Sequence, residues 1–348
     1  MFSANTTQTR ATSSFQAIAI GQDTSPYLAA YPWSSSGFGT KYANPATPAT
    51  GNGNGIAFNP SGSAIIVASV SSTSPYITAY PWSASGFGTK YSDPASQPDD
   101  QCRGVTFNSN GSVVAVVGYL TSYVAAYAWS ASGFGSRYAD PSTLPPGRCS
   151  GVAFNSNNSA IAVSSYVGSS YLAVYAWSGS GFGTKYADPS TLPPNIATGV
   201  AFSPDNTAIA VVHYDSPFVS VYPWSGSGFG TKYADPATLP GSTAAFGVAF
   251  SPNSSAIAVA SDVSPYIFAY PWSASGFGTK YADPATVPTN LAYGVTFNST
   301  GSVIAVAGTS SPYIFAYPWS ASGFGTKYAN PTTLPSTQAR CIAFGPVG

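Results

Sequence analysis

The chain has 348 residues, 44% of them hydrophobic and only 6% charged, with eleven basic residues balanced by eleven acidic ones, all Asp and none Glu. That is enough apolar material for a core, and the chain lacks the pairing of low hydrophobicity with high net charge that keeps a polypeptide disordered. Zero net charge argues against the basic face of a nucleic-acid binder, and aliphatic runs such as Ala64–Ala68 are too short to span a membrane.

Residues 1–14 are rich in Ser and Thr and lack the apolar stretch of a secretory signal, so they read as an N-terminal arm. Export would then need another route, such as lysis. Three cysteines are too few for a disulfide scaffold of this length. Residues 15–348 read as one repetitive domain. The seven tryptophans, Trp33, Trp82, Trp129, Trp177, Trp224, Trp272 and Trp319, follow one another at spacings of 49, 47, 48, 47, 48 and 47 residues. Each sits in the same phrase, as in Tyr270-Pro271-Trp272-Ser273-Ala274-Ser275-Gly276-Phe277-Gly278-Thr279-Lys280-Tyr281-Ala282-Asp283-Pro284.

The first unit begins at Ala17–Ile20, which matches Ala256–Val259 and has no Gly-Val-x-Phe segment before it. A full unit carries four predicted strands. Strand a covers Gly247–Phe250, strand b Ala256–Ala260, strand c Pro265–Tyr270 running on to Trp272, and strand d Phe277–Tyr281. Four strands per repeat of about 47 residues is the content of a propeller blade. Alternation puts Tyr266, Phe268, Tyr270 and Trp272 on one face of strand c, while strand b offers alanines, so a large face can close on a small one in the next blade. Five units carry a proline in strand c (Pro32, Pro81, Pro223, Pro271 and Pro318), where pairing with strand d should break or bulge because proline cannot donate to the ladder. The last segment, Cys341–Pro346, reads as a lone strand a that completes the blade begun by the first residues. The fold class is therefore an all-β, seven-bladed propeller of four-stranded antiparallel blades, closed by pairing the C-terminal strand with the N-terminal blade.

The repeated Gly-Phe-Gly-Thr-Lys-Tyr-(Ala/Ser)-(Asp/Asn)-Pro, followed by Gly-Val-(Ala/Thr)-Phe-(Ser/Asn), resembles the WD40-like β-propeller repeats of tailed bacteriophages, as in Gly228–Pro236 and Gly247–Ser251. The resemblance covers all seven units and implies a virion-associated or host-surface-binding protein. The Gly-His and Trp-Asp dipeptides of true WD40 repeats are missing, so likeness to those stays at the architecture.

Propeller glycosidases need paired carboxylates, usually including Glu. Here Asp93, Asp140, Asp188, Asp235 and Asp283 each follow a Lys or Arg by three residues, and Asn44 and Asn330 replace them in two units. A turn role tolerates that exchange and a catalytic carboxylate does not. His213-Tyr214-Asp215 is the one place where an imidazole and a carboxylate are close in sequence, on the b–c turn, with no nucleophile at hand. No His/Cys cluster has metal-ligand spacing, and Gly-Ser-Gly-Phe-Gly-Thr-Lys lacks the order and helix of a phosphate loop. No cofactor is expected. Cys102 and Cys149 fall at equivalent points of neighbouring units, too far apart for a disulfide, so free thiols are expected.

Outside the repeated phrase, the d–a connections differ in every unit and the b–c turns depart from Ser-Pro at Tyr119-Leu120, Tyr166-Val167 and Tyr214-Asp215, and in an up-down blade both emerge on one end of the ring. That variable face is expected to carry the partner site, with Asp99, Asp100, Arg103, Tyr119, Arg148, Tyr166, His213, Tyr214, Asp215, Phe246, Tyr293 and Arg340 as its candidates. The expected partners are other virion proteins or a host-surface receptor or glycan, with no nucleic acid and no membrane insertion. The alternative is a lectin with one aromatic site per blade at Trp33, Trp82, Trp129, Trp177, Trp224, Trp272 and Trp319, whose weak sites act together. The first reading is a non-enzymatic virion-associated module, for capsid or tail decoration or host attachment, and the lectin stands as the alternative to it.

Overall fold

The computed structural model describes residues 16–345, so the predicted arm at residues 1–14 lies outside the described residues. Seven four-stranded antiparallel sheets form a seven-bladed β-propeller. Its inner strands are Ala339–Phe344 in blade 1, Asn52–Phe58 in blade 2, Cys102–Phe107 in blade 3 and Cys149–Phe154 in blade 4. Blades 5, 6 and 7 follow with Ala197–Phe202, Ala245–Phe250 and Ala292–Phe297. Each inner strand touches the next around a closed circuit. Blade 1 is completed as expected: Gln16–Gln22 pairs with Ala339–Phe344 in the register Ile18↔Phe344, Ala19↔Ala343, Ile20↔Ile342.

The blades interlock small face to large. Ala256, Ala258, Ala260, Ile267 and Ala269 of blade 6 form one core cluster with Phe315, Tyr317 and Trp319 of blade 7. Tyr266 departs from the face expected for it. Its left-handed φ of 65° turns the strand entry, and it packs beside Ile267 and Ala269 rather than with Phe268 and Tyr270.

Proline controls the outer edge. Blades with Pro32, Pro81, Pro223, Pro271 or Pro318 keep only two residues of strand d, as in Gly228–Phe229. Blades 3 and 4 have Ala128 and Ala176 there, and strand d lengthens to Gly133–Arg137 and Gly181–Lys185. The remaining outer contacts persist in the proline blades, where the Gly230 amide donates to the Pro223 carbonyl at 2.8 Å and Tyr233 to Val221 at 2.9 Å.

The repeated phrase is explained by contact between blades. Each c–d hairpin turns on a glycine with φ between 92° and 102° (Gly37, Gly86, Gly133, Gly181, Gly228, Gly276 and Gly323), and a Cβ there would meet the Tyr ring of the preceding blade at 2.8–3.3 Å. That Tyr and two Phe rings of its own blade enclose each Trp. Trp177 meets Tyr138, Phe154 and Phe182 edge-on at 5.3, 5.1 and 4.9 Å. Lys90 and Asp93 pair at 2.5 Å across the strand d exit, and Lys41 reaches Asn44 at the same distance, so Asn serves in place of Asp.

Candidate functional site

One residue of each inner strand escapes the ladder. In blade 3, Cys102 pairs with Gly118 and Gly104 with Val117, leaving Arg103 as the extra residue of a β-bulge. The same offset leaves out Asn54, Ser150, Thr198, Phe246, Tyr293 and Arg340 in the other six blades. A bulge re-aims its side chain. Here all seven line a funnel of about 500 Å³ at the axis, joined by Tyr166 and Tyr214 from the b–c turns. The residue after each bulge is Gly in six blades because the next inner strand passes close by. A Cβ on Gly104 would lie 2.8 Å from the Ser150 carbonyl, and one on Gly247 2.8 Å from that of Tyr293. Cys341 takes this place in blade 1. Its thiol donates to the Gly53 carbonyl at 3.5 Å, and burial pushes its pKa up to about 12, so it is no thiolate at neutral pH. Cys102 and Cys149 are buried free thiols.

The seven bulge residues divide by what they already bind. Ser150 and Thr198 turn their hydroxyls to the next blade, donating to the Ala197 carbonyl at 2.7 Å and the Ala245 carbonyl at 2.5 Å. Phe246 stands edge-on between Tyr214 (6.1 Å) and Tyr293 (5.2 Å), forming an aromatic wall. Arg340 lies over the Tyr293 ring at 5.4 Å and is neutralised by a two-pronged pair with Asp23, at 2.5 and 2.9 Å. Burial pushes Asp23 up, but hydrogen bonds from Arg340 and Gln338, with the guanidinium charge, hold its carboxyl below the ordinary range.

Arg103 makes no ion pair among the described residues. It lies 4.7 Å from the Tyr119 ring centre and 5.4 Å from that of Tyr166, and Arg148 lies 4.5 Å from Tyr119. The Arg103 Nε and Asn54 Oδ1 are both shielded from solvent and have no hydrogen-bond partner among the described residues. The same holds for the Ser69, Thr78, Tyr127 and Tyr175 hydroxyls, which lie outside the funnel, so the two atoms alone do not mark a ligand site. Among the described residues, no carboxylate and no imidazole lines the funnel. Burial raises Tyr166 and Tyr214, which keeps their hydroxyls protonated.

Of the sequence candidates, Arg103, Tyr166, Tyr214, Phe246, Tyr293 and Arg340 meet in this funnel, whereas Tyr119 and Arg148 do not line it and reach it only through the stacking of Tyr119 with Arg103. The acidic candidates do other work. Asp99 accepts from the Thr121 amide at 3.2 Å, Asp100 from the Gln101 amide at 2.7 Å, and Asp215 from Asn195 at 2.7 Å, so they brace loops. His213 is not on an exposed turn. It ends strand b of blade 5 fully buried, its Nδ1 donating to the Tyr214 carbonyl and its Nε2 accepting from the Ser220 hydroxyl, both at 3.0 Å. Burial lowers its pKa and keeps it neutral. Sequence reasoning missed Asn54, Ser150 and Thr198. A Gly inside a strand hints at a bulge, and that signal marks the residue before Gly55, Gly151 and Gly199.

No family model matches the chain, and no curated protein is similar to it in sequence. Among solved structures, a "putative 6-phosphogluconolactonase" from Bacteroides uniformis superposes with a TM-score of 0.71 at 12% identity, covering 95% of this chain and 99% of its own. A second protein of that description, from Bacteroides fragilis, gives 0.73 at 12% identity over 96% and 99%. A protein from Lactobacillus plantarum gives 0.71 at 14% over 95% and 99%. Likeness at this identity is a likeness of fold. It nevertheless corrects the expectation of a non-enzymatic virion or adhesion module, since two of these whole-ring neighbours bear the name of an enzyme acting on a small sugar lactone. The lectin alternative is corrected by packing: Trp33, Trp82, Trp129, Trp177, Trp224, Trp272 and Trp319 are only 6–8% exposed, each closed in by neighbouring rings.

Proposed function

We propose that this propeller takes a small, hydroxyl-rich anion in its axial funnel, of the class of sugar acids and their lactones, and that lactone ring opening is its reaction. The observation that carries this reading is Arg103, which lines the funnel without an ion pair while no other described residue of the lining brings a carboxylate. The volume suits a ligand of that size, and the names of the fold neighbours support the substrate class.

In ring opening, water adds to the lactone carbonyl, the C–O ester bond breaks, and the leaving alkoxide takes the proton the water gives up. Negative charge grows on the carbonyl oxygen during the addition. A guanidinium held in a partly desolvated cavity stabilises that charge more than water does. Among the described residues the lining offers no carboxylate or imidazole base, so the reading assigns catalysis to electrostatics and positioning rather than to proton abstraction.

Calorimetric titration with gluconate, paired with proton release from gluconolactone, tests it. One ligand per ring is expected, with hydrolysis above the spontaneous rate falling about a hundredfold in Arg103→Gln. Absence of binding at millimolar ligand, or seven ligands per ring, overturns the reading.

A further inference from the structure

Two arginines occupy the bulge position, and the residue beside each determines what becomes of its charge. The ladder pairs Cys102 with Gly118 just before the bulge of blade 3, and Ala339 with Gln22 just before that of blade 1. The residue that follows strand b is therefore Tyr119 beside Arg103 and Asp23 beside Arg340. Asp23 takes its arginine with both carboxylate oxygens, at 2.5 and 2.9 Å, and cancels the charge. Tyr119 offers the face of a ring instead, its centre 4.7 Å from the Arg103 guanidinium, and Tyr166 of blade 4 brings a second ring at 5.4 Å. An aromatic ring attracts a cation through its quadrupole while carrying no net charge. The two rings thus orient the guanidinium and leave its positive charge to the funnel that Arg103 lines. Arg148 lies over the same Tyr119 ring at 4.5 Å, but outside the funnel lining.

Resting on the funnel reading above, we infer that Tyr119 is the positioning residue that makes Arg103 the anion-binding group of the ring, and that the residue at this b–c place selects which bulge arginine is active. Tyr119 does not line the funnel and acts through Arg103. Its own place in the turn does not depend on its side chain, because its amide donates to the Gln101 carbonyl at 2.9 Å. Arg340 is a silent copy of the same group, and Asp23 keeps it silent.

Labelling of the full chain with phenylglyoxal, resolved by peptide mapping, reads each arginine without any ligand. The reagent attacks a guanidine that has lost its proton, and the bonds to Asp23 hold the Arg340 proton more firmly. Arg103 should react at least about tenfold faster than Arg340, and Asp23→Asn should remove that difference. Gluconate titration then reads function. Tyr119→Leu should weaken binding about tenfold, whereas Tyr119→Phe should bind as the native protein does, since the ring and not the hydroxyl holds Arg103. In Arg103→Gln, adding Asp23→Asn should recover at least about tenfold in affinity as Arg340 takes over. Native affinity in Tyr119→Leu, no recovery in the double variant, or equal labelling of Arg103 and Arg340 in the native chain overturns the assignment and leaves funnel binding standing. Absence of gluconate binding to the native chain overturns both.

Discussion

At the rim of the ring, seven tryptophans meet the same three aromatic rings in every blade, and the hairpin glycine beside them never changes. At the axis, no two adjacent blades present the same bulge residue: Arg340, Asn54, Arg103, Ser150, Thr198, Phe246 and Tyr293 follow in order. Both regions belong to the same blades, so chain topology does not separate them. What separates them is pairing and packing. Rim side chains are fixed by contact on several sides, whereas a bulge residue is released from the ladder and is held, where it is held at all, by single contacts such as Ser150 to Ala197 or Arg340 to Asp23. Stability is concentrated at the rim, and the recognition proposed above at the axis.

Substitutions can break that contrast, beginning with the largest effect. Trp177→Ala at the rim should cost about 3–5 kcal/mol, because it leaves a void between Tyr138, Phe154 and Phe182. Denaturant unfolding measures this, and gluconate affinity of the folded fraction should stay unchanged. Asp23→Asn lies between the regions, since Asp23 holds the axial Arg340 while its strand closes the ring. Its carboxyl sits below its unfolded value, so its contribution is complete above that value and is lost as pH falls through the folded one. The variant should be about 1 kcal/mol less stable at neutral pH, and its unfolding curve should merge with that of the native protein in acid. Asn54→Ala at the axis should change stability by less than about 0.5 kcal/mol while weakening ligand binding. Thermal melts and titration on one sample separate the two. A melting temperature lowered as much as in Trp177→Ala would erase the distinction.

The blades, their number and the closing strand were legible because each rests on a local pattern repeated seven times. The shortened strand d was legible too, since Pro32 or Pro271 acts through a single missing amide hydrogen. The site was legible only in part. Arg103, Phe246 and Tyr293 stand out as unlike their counterparts, but Ser150 and Thr198 do not, and whether a residue of strand a faces a blade or the axis depends on a register shift. The aspartates misled for a related reason. Asp99 and Asp215 vary as a binding face would, yet their variation follows the loops they brace. His213 misled because its polarity suggested solvent, and the partners that allow its burial, Ser220 and the Tyr214 carbonyl, come together only in the folded blade.

The bulge has a consequence for how such a ring can change. A side chain that takes no part in the ladder can be exchanged without rewriting the blade that carries it. Each blade thus carries one position that the ladder does not constrain. At Ser150, Thr198 and Arg340 an exchange must also release a bond to the next blade or to Asp23, so a new specificity is composed most freely at the other blades.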